Sequence, residues 1–174
     1  SVGGSLGSRT LNNGWKENIN QVIEKDYQLI WQTGKLDYKN ILEETKDISS
    51  RNLQIVEFIK SMETAYSAAD IIVSRAGAIA ISELTIAKKP VLLVPFPFAA
   101  EDHQTKNAMT LVEKNAARMV KDTEMKEKFW NTLSEICENE TVRKEMSQNL
   151  EFFAKPKASE DIVNEIFNLL NINK

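Results

Sequence analysis

The residues best suited to chemistry stand together in Ser74-Arg-Ala-Gly-Ala-Ile-Ala-Ile-Ser-Glu83, directly after the apolar run Asp70-Ile-Ile-Val73. The pattern predicts a strand that ends, a turn through a glycine and a helix that starts. The free N–H groups of that helix point back at the turn and, with the positive end of the helix dipole, make an anion site. Arg75 stands at its mouth. Glu83 lies two turns into the helix, where a carboxylate can reach a sugar hydroxyl of a ligand whose phosphates sit at the turn. The competing reading is an ordinary strand–helix corner with Arg75 and Glu83 as surface charges.

Two further polar stretches have the same placement. Gly3-Gly4-Ser5-Leu6-Gly7-Ser8 is a glycine-rich turn before a helical face of Leu11, Trp15, Ile19 and Val22. Glycines let a backbone approach a ligand closely, and the helix that follows offers amides. The turn is neither G-x-G-x-x-G nor a P-loop, and tight strand–helix packing explains it equally well. Glu101, Asp102, His103 and Gln104 arrive together after the apolar run Val91–Pro95. Helix capping is the favoured reading for Glu101 and Asp102, while for His103 and Gln104 surface exposure is the competing one.

These stretches need a scaffold, and the chain alternates strand and helix patterns. Strands are expected at Tyr27–Thr33, Leu53–Ile59, Asp70–Val73, Val91–Pro95 and Ala117–Lys121. Helices are expected after the Gly3–Ser8 turn, from Lys35 to Lys46, from Ser61 to Ala69, after Gly77 and after Gln104. Ser61 and Thr64 suggest an imperfect capping box. Val91–Pro95 lacks alternation, the mark of a strand buried on both faces. After Lys121 the patterns are helical only. Such alternation predicts an α/β fold with a parallel sheet wrapped by helices. The three polar stretches then converge on one edge of the sheet, where ligands of open α/β sheets bind. The convergence indicates a nucleotide or sugar-nucleotide cleft.

Composition narrows the choice. The 174 residues suffice for one α/β domain, and 42% hydrophobic with 27% charged residues describes a globular chain,. A net charge of -3 and the lack of a basic stripe argue against nucleic acid,. A single histidine, His103, leaves no histidine-rich metal site, and a lone Cys137 in a helical pattern reads as a buried structural thiol,. The cysteine count suits a reducing cytoplasm. No apolar run is long enough to span a bilayer.

At this point the sequence resembles the MurG family, bacterial transferases that move N-acetylglucosamine from UDP-N-acetylglucosamine (UDP-GlcNAc) to undecaprenyl-pyrophosphoryl-muramyl-pentapeptide. The matching pieces are Gly3–Gly7 with Arg9 and Asn12; Val56–Ile59 with Met62 and Tyr66; Ala69-Asp70 to Ser82-Glu83; and Val94–Pro97 through Asp102–Gln104 to Asn107-Ala108. The resemblance covers nearly the whole chain but only the C-terminal half of that family's two-domain GT-B fold. It implies one UDP-sugar donor-binding domain over residues 1–174, Rossmann-like with helices on both faces and C-terminal helices over about 124–171.

By the same resemblance, the Ile59 backbone would meet uracil, Arg75 would lie beside the nucleotide and Glu83 would hold the ribose hydroxyls. Gly4, Ser5 and Gly7 of one turn, and Gly77, Ala78, Ile79 and Ala80 of the other, would lie near the phosphates. Asn12 belongs to the same donor-binding set. Gln104, with His103 before it, would face the GlcNAc hydroxyls. Two departures stand out. Ala80 replaces a threonine common among relatives, and His103 stands where some relatives carry a second glutamine.

The implied reaction makes lipid II from lipid I in peptidoglycan synthesis, with inversion at the sugar and no cofactor or metal. No catalytic residue is expected in this chain. The base, lipid I and the membrane contact would belong to an N-terminal half, and the full protein would work at the cytoplasmic face of the bacterial inner membrane. The strand expected before Gly3 is reduced to Ser1-Val2, which suggests a fragment starting inside that strand. A non-catalytic nucleotide-binding or regulatory domain, or the separate donor subunit of a two-chain transferase, are the alternatives.

Overall fold

The computed structural model describes residues 1–48 and 51–170, so residue 171, the expected limit of the last helix, lies outside it. Helical spacing places Leu11, Trp15, Ile19 and Val22 on the buried face of α1 (Arg9–Glu24),. The chain then runs β1 (Leu29–Gln32), α2 (Tyr38–Glu44), β2 (Leu53–Val56), α3 (Met62–Ala68), β3 (Ile72–Ser74), α4 (Ala78–Ala87) and β4 (Val91–Leu93). It continues through α5 (His103–Val112), β5 (Arg118–Met119), α6 (Met125–Glu138), α7 (Glu140–Glu151) and α8 (Ala158–Leu169).

β1 pairs with β2, β3 with β4 and β4 with β5, all in parallel. Val2 bridges in parallel to Gln32 at the end of β1 and to Ser74 at the end of β3. The order across the sheet is therefore β2, β1, Val2, β3, β4, β5. Counted with Val2 as the first strand, this is the 3-2-1-4-5-6 order of the dinucleotide-binding fold, whose strand order reverses at one point. Here that point lies between Val2 and β3, just where the first two polar stretches leave the sheet.

The middle strands are buried on both faces. Val73, Leu92 and Val94 join a core with α1, α6 and the packed rings of Trp15 and Phe129, while Ile72, Val91 and Leu93 join a second core with Leu84 of α4 and Leu111 of α5. Helices thus cover both faces of the sheet, the α/β arrangement expected from the alternation. β1 and β2 are shorter than the apolar runs suggest. The ladder ends at Val56, and beyond it the Ile59 N–H donates to the Gln32 side chain at 2.9 Å. Ser61 stands at the start of α3 without capping its backbone; its hydroxyl bonds Thr64 Oγ1 at 2.7 Å.

Candidate functional site

The first wall of the site is the Gly3–Ser8 turn. Gly7 has φ +86, and a Cβ there would lie 2.0 Å from the Thr33 carbonyl oxygen. Gly34 faces it with φ +79 and would place a Cβ 2.1 Å from the Gly7 nitrogen. Two glycines in left-handed backbone therefore let the turn seat directly on the end of β1. Gln32, 2% exposed, adds a second fastening: its Nε2 donates to the Gly4 carbonyl at 3.0 Å while its Oε1 accepts from Ile59. Ser8 caps α1, its Oγ accepting from the Leu11 N–H at 3.3 Å,.

The second wall is the start of α4. Gly77 holds the N-cap position with φ -64 and ψ 151, and no side chain caps the helix. A Cβ on Gly77 would meet nothing within 4 Å. Among the described residues the first amides of α4 have no side-chain or backbone acceptor, and the positive end of the helix dipole lies behind them,. Two turns in, exposed Glu83 accepts a hydrogen bond from the Tyr66 hydroxyl at 3.0 Å. Burial and the neighbouring Glu83 carboxylate push the Tyr66 phenol well above its ordinary range.

Between the walls lies a cleft of about 720 Å³. Arg75 is only 14% exposed in its side chain and is fully engaged at Nη1, which donates to the carbonyls of Val94 (3.0 Å) and Pro95 (2.9 Å) and to Asp122 Oδ1 (2.5 Å). Its guanidinium also lies 5.6 Å from the centre of the Phe96 ring. Gln104 closes the far side. Its Oε1 accepts from the Ala76 N–H at 3.2 Å and the Phe96 N–H at 3.0 Å, so the side chain pins the α4 turn to the loop after β4. Exposed apolar side chains, Phe58, Ile79 and Phe98, stand along the rim.

Three comparisons place this geometry among known proteins. The sequence model of the glycosyltransferase family 28 C-terminal domain matches residues 1–164. The chain belongs to that family. The transferases named UDP-N-acetylglucosamine--N-acetylmuramyl-(pentapeptide) pyrophosphoryl-undecaprenol N-acetylglucosamine transferase include one from Cytophaga hutchinsonii, 44% identical over 173 residues, 99% of this chain and 46% of that protein. The Bacteroides thetaiotaomicron counterpart is 44% identical over 170 residues, 97% of this chain and 46% of its own length. The crystal structure of Acinetobacter baumannii MurG superposes with a TM-score of 0.81 at 32% identity, covering 96% of this chain and 48% of that one. Staphylococcus aureus MnaA, solved with UDP, has a TM-score of 0.71 at 18% identity and shares the fold. The chain spans about half the length of the relatives it matches.

Within this family 28 domain the structure brings most of the expected residues together. Gly4, Ser5 and Gly7 line one side of the cleft, Gly77, Ile79, Ala80 and Glu83 the other, and Arg75 and Gln104 its floor and end. Ala78 is exposed at the first turn of α4, outside the lining side chains. Ile59 borders a neighbouring cavity of about 660 Å³ that shares Met62 and Tyr66 with the cleft.

Besides Ala78 and Ile59, two further expected residues stand away from the cleft lining. Asn12 is 2% exposed and spent on the scaffold: Nδ2 donates to the Thr33 carbonyl (3.0 Å) and Asp37 (2.9 Å), and Oδ1 accepts from Trp31 Nε1 (2.9 Å). His103 is exposed at the start of α5, with Nδ1 at 2.7 Å from the Ala100 carbonyl. Asp102 adopts φ +55 and bonds the Thr105 hydroxyl at 2.6 Å rather than capping α5. Cys137 is half-buried, and burial pushes its thiol up, away from nucleophilic duty,.

Sequence reasoning missed Gln32 and the pair Thr10 and Asp122, which line the cleft with the Thr10 hydroxyl donating to Asp122 Oδ2 at 2.7 Å. A polar residue closing an apolar strand, as Gln32 closes Leu29-Ile-Trp, was the only available signal for the first. Among the described residues, no group of three or more His, Cys, Asp or Glu side chains is placed to hold a metal ion, and no helix is long and apolar enough to cross a membrane.

Proposed function

We propose that this chain is the donor-binding half of an inverting N-acetylglucosaminyltransferase that makes lipid II from lipid I, and that its cleft holds UDP-GlcNAc. One observation carries the reading: an uncapped helix start, a glycine turn and a carboxylate two helical turns away share a single cleft at the strand-order reversal. Amides suit the pyrophosphate, and Glu83 suits the paired ribose hydroxyls, to which a carboxylate makes charge-assisted hydrogen bonds. Uracil meets the Ile59 main chain, where its carbonyl takes over the N–H that Gln32 Oε1 holds in this structure. Gln104, fixed through its Oε1, offers its amide N–H groups to the GlcNAc hydroxyls.

In the reaction, the muramyl 4-hydroxyl oxygen attacks the anomeric carbon of GlcNAc. The bond from that carbon to the β-phosphate oxygen breaks, and its electron pair leaves with UDP. The negative charge that grows on the β-phosphate falls opposite amides already oriented toward it, which is electrostatic stabilisation without reorganisation. The base that accepts the hydroxyl proton, the lipid-linked acceptor site and the contact with the cytoplasmic membrane face belong, in this proposal, to the part of the relatives' length that the chain does not span.

Calorimetric titration of the chain with UDP, UDP-GlcNAc, ADP and GDP tests the reading. The expected result is binding of the two uridine nucleotides and much weaker binding of the purine ones. Equal binding of all four, or of none, contradicts it.

A further inference from the structure

The carboxylate of Asp122 lines the cleft beside the anion-facing turns, where an anion site does not call for negative charge. It sits in the single 3-10 turn Asp122–Glu124 between β5 and α6 and lines the cleft, 20% exposed in its side chain. A free carboxylate there repels a diphosphate. Asp122 is not free. Its Oδ2 accepts from Thr10 Oγ1 at 2.7 Å, and its Oδ1 accepts from Arg75 Nη1 at 2.5 Å.

The two partners lie on opposite sides of the strand-order reversal. Thr10 is the second residue of α1, the helix behind the glycine turn, and Arg75 directly follows β3, on the way to α4. Asp122 comes from neither segment, being 112 residues from Thr10 and 47 from Arg75 along the chain. It is therefore a side-chain strut across the crevice. Arg75 carries the strut onward, since the same Nη1 donates to the Val94 and Pro95 carbonyls at the end of β4. Among the described residues, every hydrogen bond of the Arg75 side chain uses Nη1, which leaves Nη2 as a donor for a ligand.

We propose that Asp122 is a positioning residue for diphosphate recognition: it ties Arg75 to the start of α1, setting the gap between the two anion-facing walls and reserving Nη2 of Arg75 for the phosphates. The proposal rests on the donor-cleft reading above. A rigid planar guanidinium held at one nitrogen, with its side chain largely buried, presents its other N–H donors in a restricted direction, so less ordering of a long side chain is needed on binding,. The pairing also cancels the charge that an anion would meet.

The substitutions separate bracing from charge. Asp122→Ala removes both hydrogen bonds. Asp122→Asn keeps an oxygen acceptor for Arg75 and gives Thr10 Oγ1 an amide donor, while removing the negative charge. The 174-residue chain and each variant are titrated with UDP and with uridine, which lacks phosphate, and their melting is followed in parallel. Asp122→Ala is expected to weaken UDP by about tenfold while moving uridine by less than about twofold. Asp122→Asn is expected to hold UDP at least as tightly as about one third of the parent affinity. Should Asp122→Ala not fold, Thr10→Val breaks one end of the strut and is expected to cost UDP about threefold, again with uridine unchanged.

Equal loss for UDP and uridine overturns the proposal, because the residue then serves the fold at large. Parent-like UDP binding by the truncated variants, or a loss in Asp122→Asn as large as in Asp122→Ala, overturns it too. A parent chain that binds no UDP refutes the donor reading itself and the strut with it, an outcome distinct from a parent that binds while the variants fail to differ.

Discussion

The two helix starts that face the cleft solve opposite problems. α1 is closed: Ser8 caps it, Gly7 and Gly34 press its turn onto β1, and Gln32 fastens the turn from below. α4 is open: Gly77 offers no cap, and nothing stands within 4 Å of where its Cβ would be. Both follow a parallel strand and both begin with glycine-bearing turns, yet only α1 has a side-chain cap, with Ser8 Oγ on the Leu11 N–H. Unpaired helix amides cost stability unless water or a ligand satisfies them. The open start is thus the place where a ligand does the capping, and the closed start is the wall that aligns it.

Substitutions can break that comparison. The largest effect belongs to Gly7→Ala. Left-handed backbone alone costs a non-glycine residue about 1–2 kcal/mol, and the 2.0 Å approach to the Thr33 carbonyl forces the turn off β1 as well,. A drop of at least about 2 kcal/mol in denaturant-derived stability is expected, with UDP binding lost alongside. Unchanged stability would mean the turn is not seated as described.

The next effect is on binding rather than folding. Glu83→Ala removes a carboxylate from an exposed position, so melting should hold while UDP affinity falls by at least about tenfold, 1.4 kcal/mol being one decade,. The control is 2′,3′-dideoxy-UDP, which should bind the parent poorly and lose little more on the substitution. Equal losses for both ligands would assign Glu83 to general electrostatics or to its bond with Tyr66.

The smallest pair addresses the caps directly. Ser8→Ala should cost about 1 kcal/mol of stability, the usual worth of a capping hydroxyl. Gly77→Ser should do the reverse at α4: stability gains a few tenths of a kcal/mol, because serine caps better than glycine, and UDP weakens because the new hydroxyl competes for the same amides. Parallel behaviour of the two variants in melting and titration would erase the distinction between a closed and an open start.

Much of this arrangement is legible in the sequence. The helical spacing of Leu11, Trp15, Ile19 and Val22, the unalternating run at β4 and the glycine-to-helix turns report local rules of burial and backbone geometry, and the structure follows them. The roles of Asn12, Arg75 and His103 were not legible in the same way. Asn12 stands in a ligand-type neighbourhood, but folding brings Trp31, Thr33 and Asp37 to it and uses up its donors and acceptor. Arg75 reads as a free cation until the chain returns 47 residues later with Asp122. His103 is adjacent in sequence to Gln104, yet neighbouring residues on a helix point about 100° apart, so one faces the cleft and the other solvent. Long-range pairing and helix phase, rather than residue type, decide these cases.

The most direct test of the account is which amides respond to the diphosphate. Amide resonances of the 174-residue chain are followed while UDP, and separately uridine, is added. The account predicts that the N–H signals of Ala78, Ile79 and Ala80 shift strongly with UDP and little with uridine, while Leu11, already bonded to Ser8 Oγ, moves little with either. Shifts at α4 that are the same for both ligands, or a UDP response confined to other parts of the chain, would contradict the claim that the open helix start holds the phosphates.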